Sequence, residues 1–376
     1  MKNTMNNDFC PEANDFLYKF VAFIFRSKPA PAMVAFLYFV LASGGTVFLG
    51  FISGLLFGRN TNLSPIYKDY MNIINVGIIA PIGARLLINL YDKMKNTFVA
   101  LRENNIIKDK LDEYQELLAD LSKLYSSKII IFIALAIAII FNIIVMIKKK
   151  DSWSGIHGGI TAFYFRFFVI INYYMIVIIL YKCIVTTLAL NRVFKFDLNL
   201  QPLHPDKCGG IKSIGSLAIA MHYFLQLILV FLTMIAFFNP KNLHNILFVL
   251  MFIALVIITM SSLFFSLYKA HDKMQKTKID LLSKLHLEFQ KYYESLYRNL
   301  SAKTFEKETA DNLQSINNLY TLANNMPVWP FDFQSLLRFF STISIPIFFF
   351  LLQMLVNADS IIYNLDRLNI LKYIFK

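Results

Sequence analysis

Charged residues are scarce in this chain of 376 residues. Asp, Glu, Lys and Arg make up 16% of it, where an ordinary soluble domain has roughly 25%. Hydrophobic residues make up 57% and the mean hydropathy is +0.53. Such a chain buries apolar surface against lipid as well as against itself, so the composition predicts an integral membrane protein.

Cysteine is also rare. Cys10, Cys183 and Cys208 are an odd number without regular spacing, which argues against a disulfide framework and favours reduced thiols. The first thirty residues are polar, then aromatic and basic. They contain no short apolar core before a small-residue cleavage site, so we expect no cleavable signal peptide.

Motifs for catalysis are missing. The sequence has no glycine-rich phosphate loop, no nucleophile elbow and no pair of carboxylates within an apolar run. His204, Asp206 and Cys208 alternate, but no second cluster completes a four-ligand metal set. We therefore predict no enzyme activity, no metal site and no cofactor.

Long apolar runs are the main feature that is present, and about 20 such residues suffice to cross a bilayer. Six runs qualify clearly. A seventh, Met71 to Leu90, contains several polar residues and is divided by Pro81. We predict an all-α integral membrane protein with six or seven transmembrane helices and long cytosolic helical extensions. The six clear runs are Met33 to Phe57, Ile129 to Ile147, Ile160 to Leu188, Ile214 to Phe238, Leu243 to Leu267 and Phe339 to Val356.

The distribution of Lys and Arg predicts the orientation, because cytosolic loops carry an excess of both. With seven spans and the N-terminus inside, the cytosolic segments are 1–32, 91–128, 189–213 and 268–338. They hold most of the basic residues, and Lys148 to Lys150 is the clear exception. The net charge of +13 makes nucleotides, nucleic acid and anionic headgroups plausible ligands.

These segments interleave with the spans, so we expect one interwoven unit without separate domains. Its parts along the chain are an N-terminal cytosolic or interfacial segment (1–32), the first two spans (33–90), a cytosolic helix (91–128), a four-span core (129–267), a cytosolic helical hairpin (268–338) and the last span with its tail (339–376).

Two cytosolic segments show a helical apolar stripe. No Pro or Gly interrupts the chain from Ser262 to Leu300, so this helix is expected to continue from its span into the cytosol. Either it belongs to a helical bundle with a solvated polar face, or it is a sensor stalk that transmits movement into the membrane. The stripes are Leu111, Tyr114, Leu118, Leu121 and Tyr125, then Leu281, Leu285, Phe289, Tyr292, Leu296 and Leu300.

The loop from His204 to Gly210, sequence HPDKCGG, lies between two apolar runs. The start of the next helix would place free backbone N–H groups beside lysines at the cytosolic face, which favours an anion site. The alternative is a rigid turn between two spans, with Lys207 near lipid headgroups. The predicted ligand-binding residues are Arg192, Lys195, His204, Asp206, Lys207 and Lys212.

Gly50, Gly54 and Gly58 form a tandem GxxxG pattern, with Ser43 and Thr46 earlier in the same run. On a helix these glycines would share one face and let another helix approach closely. We predict that the five residues contribute to a subunit contact or a pore wall. Tight packing within one subunit is the alternative.

Three further residues are candidates for coupling the cytosolic helices to the membrane. Arg166 lies within an apolar run, where it either faces protein or extends to the interface. Trp329 and Asp332 belong to the stiff segment MPVWPFD before the last span. That segment is either an interfacial anchor or a coupling elbow.

The stretch from Trp153 through Arg166, Asn191-Arg192 and Asp197-Leu198 to the loop ending at Gly210 resembles a family of bacterial multi-span membrane proteins. Members of that family carry a Trp, an aromatic span, an arginine-rich exit and a His-Pro-Asp-(Lys/Arg)-x-Gly-Gly-Leu loop. The match covers roughly residues 150–225. Ile211 replaces the usual Leu, and the arginines before the loop are sparser.

The architecture also resembles the membrane effector of Hailong-type anti-phage defence. This resemblance implies a homo-oligomeric ion channel in the bacterial inner membrane, with a tetramer as our guess. It implies control by an anionic nucleotide or oligonucleotide from a signal-producing partner enzyme, and depolarisation of an infected cell. The alternatives are a secondary transporter, or a membrane-anchored scaffold that binds a soluble partner.

Overall fold

The computed structural model describes residues 11–12, 15–26, 28, 30–58, 63–108, 110–149, 151–201, 204–301 and 307–357. Within these ranges the regular secondary structure is helical. The α-helices are α1 (Phe16–Phe25), α2 (Pro31–Phe39), α3 (Gly45–Ile52), α4 (Tyr70–Ile74), α5 (Ala80–Glu103), α6 (Leu111–Tyr125), α7 (Lys128–Lys148), α8 (Gly159–Val193), α9 (Lys212–Phe238), α10 (Ile246–Ser301), α11 (Lys307–Asn324) and α12 (Phe333–Val356).

Seven helical stretches in the described part of the chain are long and apolar enough to cross a membrane. One of them is Tyr70–Glu103, so the doubtful seventh run is helical. The predicted all-α, multi-span membrane fold is confirmed. The other six stretches are Pro31–Ile52, Leu111–Lys148, Ile156–Val193, Lys212–Phe238, Ile246–Arg298 and Phe333–Val356.

Pro81 does not break its helix as the sequence suggested. A π-helical segment, Asn75–Ile79, joins α4 to α5, and Pro81 lies in the first turn of α5. Proline lacks the N–H that would donate to the carbonyl four residues earlier. That carbonyl belongs to Gly77, inside the π segment, where the hydrogen-bond pattern is already shifted. The wide turn therefore accommodates the proline without ending the helix.

Helices α5, α8 and α9 form the centre of the bundle, and about half of each apolar stretch is buried there. The stretches formed by α2–α3, α7, the first part of α10 and α12 are each only about a fifth buried. Their exposed faces carry large apolar side chains such as Phe132, Ile257 and Phe348. Contact between water and such large apolar faces is unfavourable, so they require lipid or another apolar partner.

The connections meet at two opposite ends of the bundle. At the predicted outer end, Trp153 donates from Nε1 to Asp69 Oδ2 at 3.0 Å, and Tyr70 stacks on Phe238. At the predicted inner end, Ile107 and Leu198 form an isolated antiparallel bridge. Consecutive connections therefore alternate between the two ends, as seven crossings require.

Helix α10 contains 56 residues and is about 84 Å long at about 1.5 Å per residue. This length is more than twice the hydrocarbon thickness of roughly 30 Å, so α10 continues well past the inner end. Helix α11 packs back along it. The predicted continuous helix is confirmed, and the described members of its apolar stripe are half-buried.

The glycine-rich run forms a shorter helix than predicted. Helix α3 ends at Ile52, and Gly54 and Gly58 have φ values of 72° and 70°. A left-handed residue cannot continue a right-handed helix, so the expected single face of three glycines does not form. Gly50 is buried against Ile66 within the chain. A role of Ser43, Thr46, Gly50, Gly54 and Gly58 in a pore or subunit contact stays a prediction.

Candidate functional site

Asp206 organises the loop before α9. Its Oδ1 accepts hydrogen bonds from the backbone N–H groups of Cys208 at 2.8 Å and Gly210 at 3.0 Å, and its Oδ2 accepts from that of Lys212 at 3.1 Å. The imidazole Nδ1 of His204 lies 2.9 Å from Oδ1. One carboxylate thus accepts from two backbone N–H groups of the loop and from the first N–H group of α9, so these three are not free for an external anion.

The loop and the residues before it are also anchored to the connection between α5 and α6, at the inner end of the bundle. The backbone N–H of Asn199 donates to the carbonyl of Ile106 at 2.8 Å. Gly210 has a φ of 93°, and a Cβ added there would lie 2.2 Å from Ile106 Cδ1. The positive φ therefore favours glycine at position 210, and a side chain there would also have to displace the end of the Ile106 side chain.

A second segment, the connector of residues 325–332 between α11 and α12, contacts this loop. Lys212 Nζ lies 2.8 Å from Asp332 Oδ2. Asp332 also caps α12, because its Oδ1 accepts from the backbone N–H of Ser335 at 2.8 Å. Gly215 is so close to the connector that an added Cβ would lie 1.8 Å from the carbonyl oxygen of Pro330. We call residues 204–215, which are the loop and the first residues of α9, together with the connector 325–332, the clasp.

Helix α10 holds the other side of the connector. The ring of His271 stacks on Trp329 with centroids 4.3 Å apart, and its Nδ1 lies 2.8 Å from the carbonyl oxygen of Val328. Lys278 Nζ donates to the carbonyls of Asn324 at 2.6 Å and Met326 at 3.0 Å. The clasp therefore joins the end of the α10–α11 hairpin to the starts of α9 and α12.

Both carboxylates of the clasp stay ionised at neutral pH. Burial would raise the pKa of Asp206, but hydrogen bonds from the backbone N–H groups of Cys208, Lys212 and Gly210 and from His204 hold it below its ordinary value. Hydrogen bonds from Lys212 and Ser335 lower the pKa of Asp332. A lowered folded-state pKa stabilises the protein above the unfolded pKa of about 4, and this contribution is lost as pH falls through the folded value. The clasp is therefore stable from mildly acidic to mildly basic pH.

Cys208 offers a direct test of whether the clasp is closed. Burial, and then the negative charge of Asp206, raise the pKa of this thiol from 9.0 to about 11. The reactive thiolate is therefore about 100-fold rarer than in an ordinary cysteine. In a C10S/C183S background, we expect maleimide to label Cys208 at least about 100-fold more slowly than an unfolded control. The ratio should be constant from about pH 6 to about pH 8, and fast labelling of the folded protein would contradict a closed clasp.

The predicted ligand-binding residues divide into two groups. His204, Asp206 and Lys212 hold the clasp together. Arg192, Lys195 and Lys207 are exposed and make no ion pair with any residue that the structure describes. We call these three exposed cations, of which Lys207 belongs to the loop of the clasp, the basic surface. An anion that binds here would contact side chains, because Asp206 already holds the backbone N–H groups.

Of the three coupling candidates, two lie in the connector and one does not. Trp329 and Asp332 contact α10 and α9 as described above. Arg166 is buried at the opposite end, where its Nε donates to the carbonyl of Ser154 at 2.7 Å and its Nη1 donates to Asn142 Oδ1 at 3.4 Å. It faces protein. Its contacts join α8 to α7 and to the connection between these two helices.

Sequence reasoning missed one residue of the clasp and the two residues of α10 that hold it. His271 and Lys278 gave no signal because scattered polar residues on a long amphipathic helix read as its solvated face. Gly215 was missed because an isolated glycine near a helix start has no distinctive context. The one available signal was the pair of stiff, turn-forming segments, HPDKCGG and MPVWPFD, each placed directly before an apolar run.

Comparison with known proteins gives no relative: no protein-family model, no curated protein and no solved structure matches the chain.

Proposed function

We propose that the chain is one subunit of a homo-oligomeric ion channel that is gated from its inner end by an anionic ligand of the nucleotide type. A tetramer in the bacterial inner membrane, a signal-producing partner enzyme and a depolarising role in anti-phage defence belong to this proposal. The resemblance to the membrane effector of Hailong-type anti-phage defence supports these last features.

The clasp is the observation on which the proposal rests. It brings together the starts of two apolar helices and the base of a long hairpin that projects beyond the bundle. A ligand changes a closed–open equilibrium only through its different affinity for the two states. A change in the clasp acts directly on the first turn of α12, because Asp332 belongs both to the clasp and to the cap of that helix.

The polar residues within the apolar stretches favour a pore between subunits over a substrate cavity inside one. Asn142 pairs with Arg166, and Asn172 donates to Asn75 Oδ1 at 3.2 Å. Gln226 accepts from Thr342 at 2.7 Å. A secondary transporter needs polar groups that face its substrate at mid-membrane depth. These side chains are instead occupied in contacts between helices.

The basic surface gives a specific prediction for ligand control. Reversing two of its charges in the Lys195→Glu/Lys207→Glu variant replaces attraction by repulsion of an anion. We expect the concentration of a candidate nucleotide that gives half its effect to rise by about tenfold or more, equal to about 1.4 kcal/mol. The measurement is the current through purified protein in a planar bilayer, with and without nucleotide.

The matched control is Lys241→Glu, because Lys241 is an exposed lysine at the opposite end of the bundle. It should leave the nucleotide dependence within about twofold of the wild type. Nucleotide control that survives reversal of Lys195 and Lys207 rules out this binding surface. Purified protein that carries no current under any nucleotide condition argues for a scaffold instead.

A further inference from the structure

A lysine is buried in the middle helix of the bundle. Lys182 lies within the apolar stretch Ile156–Val193 and is 3% exposed. Its Nζ donates to the backbone carbonyl of Pro11 at 2.5 Å and lies 4.1 Å from the centroid of the Tyr91 ring. A cation inside a membrane helix is costly and needs a partner. Its hydrogen-bond partner here is supplied by the N-terminal segment.

The same segment supplies a negative charge close to the lysine. Asp15 is 2% exposed and caps α1 by accepting from the backbone N–H of Tyr18 at 2.9 Å. Its other oxygen accepts from the hydroxyl of Tyr91 at 2.7 Å. Tyr91 therefore contacts both charges, and Asp15 acts electrostatically on Lys182. These contacts fasten the segment to α5 and α8 together.

The two helices that hold the segment also lead to the clasp. From Lys182, α8 runs about 16 Å to its end at Val193, which precedes the loop of the clasp. Helix α5 continues from Tyr91 to Thr97, whose hydroxyl donates to the carbonyl of Ser213 at 3.1 Å. We therefore expect a change in the contact between α5 and α8 at Lys182 to reach the clasp along α5, which contacts it at Ser213.

We propose that the described residues 11–12 and 15–26 form a regulatory latch that keeps the clasp closed. With the latch docked, the charge of Lys182 is compensated and α5 and α8 are held at a fixed separation. When the latch leaves, the lysine is a buried cation without its acceptor, and α5 and α8 separate to let water reach it. That separation loosens the clasp. The link to channel gating rests on the proposed function, whereas the docking and its effect on the clasp do not.

The test uses the full chain in lipid nanodiscs, with Cys10 and Cys183 replaced by serine so that Cys208 is the sole thiol. We expect Asp15→Asn to speed hydrogen–deuterium exchange in residues 16–25 and labelling of Cys208 by maleimide, each by about tenfold. The matched control is Asp92→Asn, which removes the surface ion pair between Lys28 and Asp92. It should change both rates by less than about twofold.

A second variant separates the latch from a general loss of folding. Lys182→Met replaces the cation by an apolar side chain of similar length, which removes the charge that Asp15 compensates. In this background, Asp15→Asn should no longer speed either rate, because it then removes a buried carboxylate that has lost its counter-charge. Equal effects of Asp15→Asn in the two backgrounds overturn the proposal, and so does faster exchange of the segment without faster labelling of Cys208. If the predicted pattern appears but no variant carries current, the latch stands and the channel function fails.

Discussion

Asp206→Asn is expected to open the clasp. The amide retains only one acceptor oxygen, so at least one of the N–H groups of Cys208, Gly210 and Lys212 meets an NH₂ group instead. A buried donor left without its charged acceptor costs about 2–4 kcal/mol. The fraction of molecules with an open clasp should therefore rise by about 30-fold to about 1,000-fold. Labelling of Cys208, as the sole thiol, measures that fraction.

The matched control for Asp206 is Asp197→Asn in the same connection. The Asp197 side chain is 93% exposed, and its oxygen lies 3.8 Å from Lys273 Nζ. A surface pair of this kind contributes at most about 1 kcal/mol, so Cys208 labelling should change by less than about fivefold. If Asp206→Asn has no larger effect than its control, the carboxylate does not hold the clasp together.

Gly215→Ala is expected to push the connector away from α9. The added Cβ would lie 1.8 Å from the carbonyl oxygen of Pro330 and 2.7 Å from its carbonyl carbon. These atoms belong to the backbone, so a rotamer change cannot relieve the clash. We expect a loss of about 2–4 kcal/mol from the closed clasp, seen as faster Cys208 labelling and, in bilayer recordings, as a changed open probability.

Gly83→Ala is the control for this substitution. Gly83 lies in α5, and a Cβ added there would meet only Leu227 Cδ2 at 3.7 Å, an ordinary contact. Alanine in a helix is favoured over glycine by up to about 1 kcal/mol, so this variant should be unchanged or slightly more stable. An unaffected clasp in Gly215→Ala would mean that α9 and the connector are further apart than described.

The sequence predicted those features of the fold that depend on local pattern. Apolar runs of sufficient length identified the spans, and the absence of Pro and Gly after Ser262 predicted the continuous α10. Prediction failed where a conformation has no sequence signature or depends on residues far apart in sequence. Pro81 looked like a break because the π segment that accommodates it has no sequence signature.

The candidate site was predicted only in part, because some of its features are local in sequence and others are not. The turn-forming residues of HPDKCGG are a local feature and were identified, whereas the cap that Asp332 forms on α12 was not. The roles of Asp206 and Lys212 were different from those expected, since each bonds within the clasp. Lys182 was overlooked because a single lysine in an apolar run shows nothing of its partner at Pro11, which is 171 residues away.

The contact between α10 and the connector at Lys278 divides the longest described helix into two unequal arms. From Lys278 the rod extends about 35 Å to Ser301 in one direction and about 48 Å to Ile246 in the other. If it tilts as a rigid body about that point, a sideways shift of about 1 Å at the projecting tip becomes about 1.4 Å, in the reverse sense, at the far side of the bilayer. Under that rigid tilt, a ligand that binds only the tip would move the opposite surface of the membrane domain without touching it.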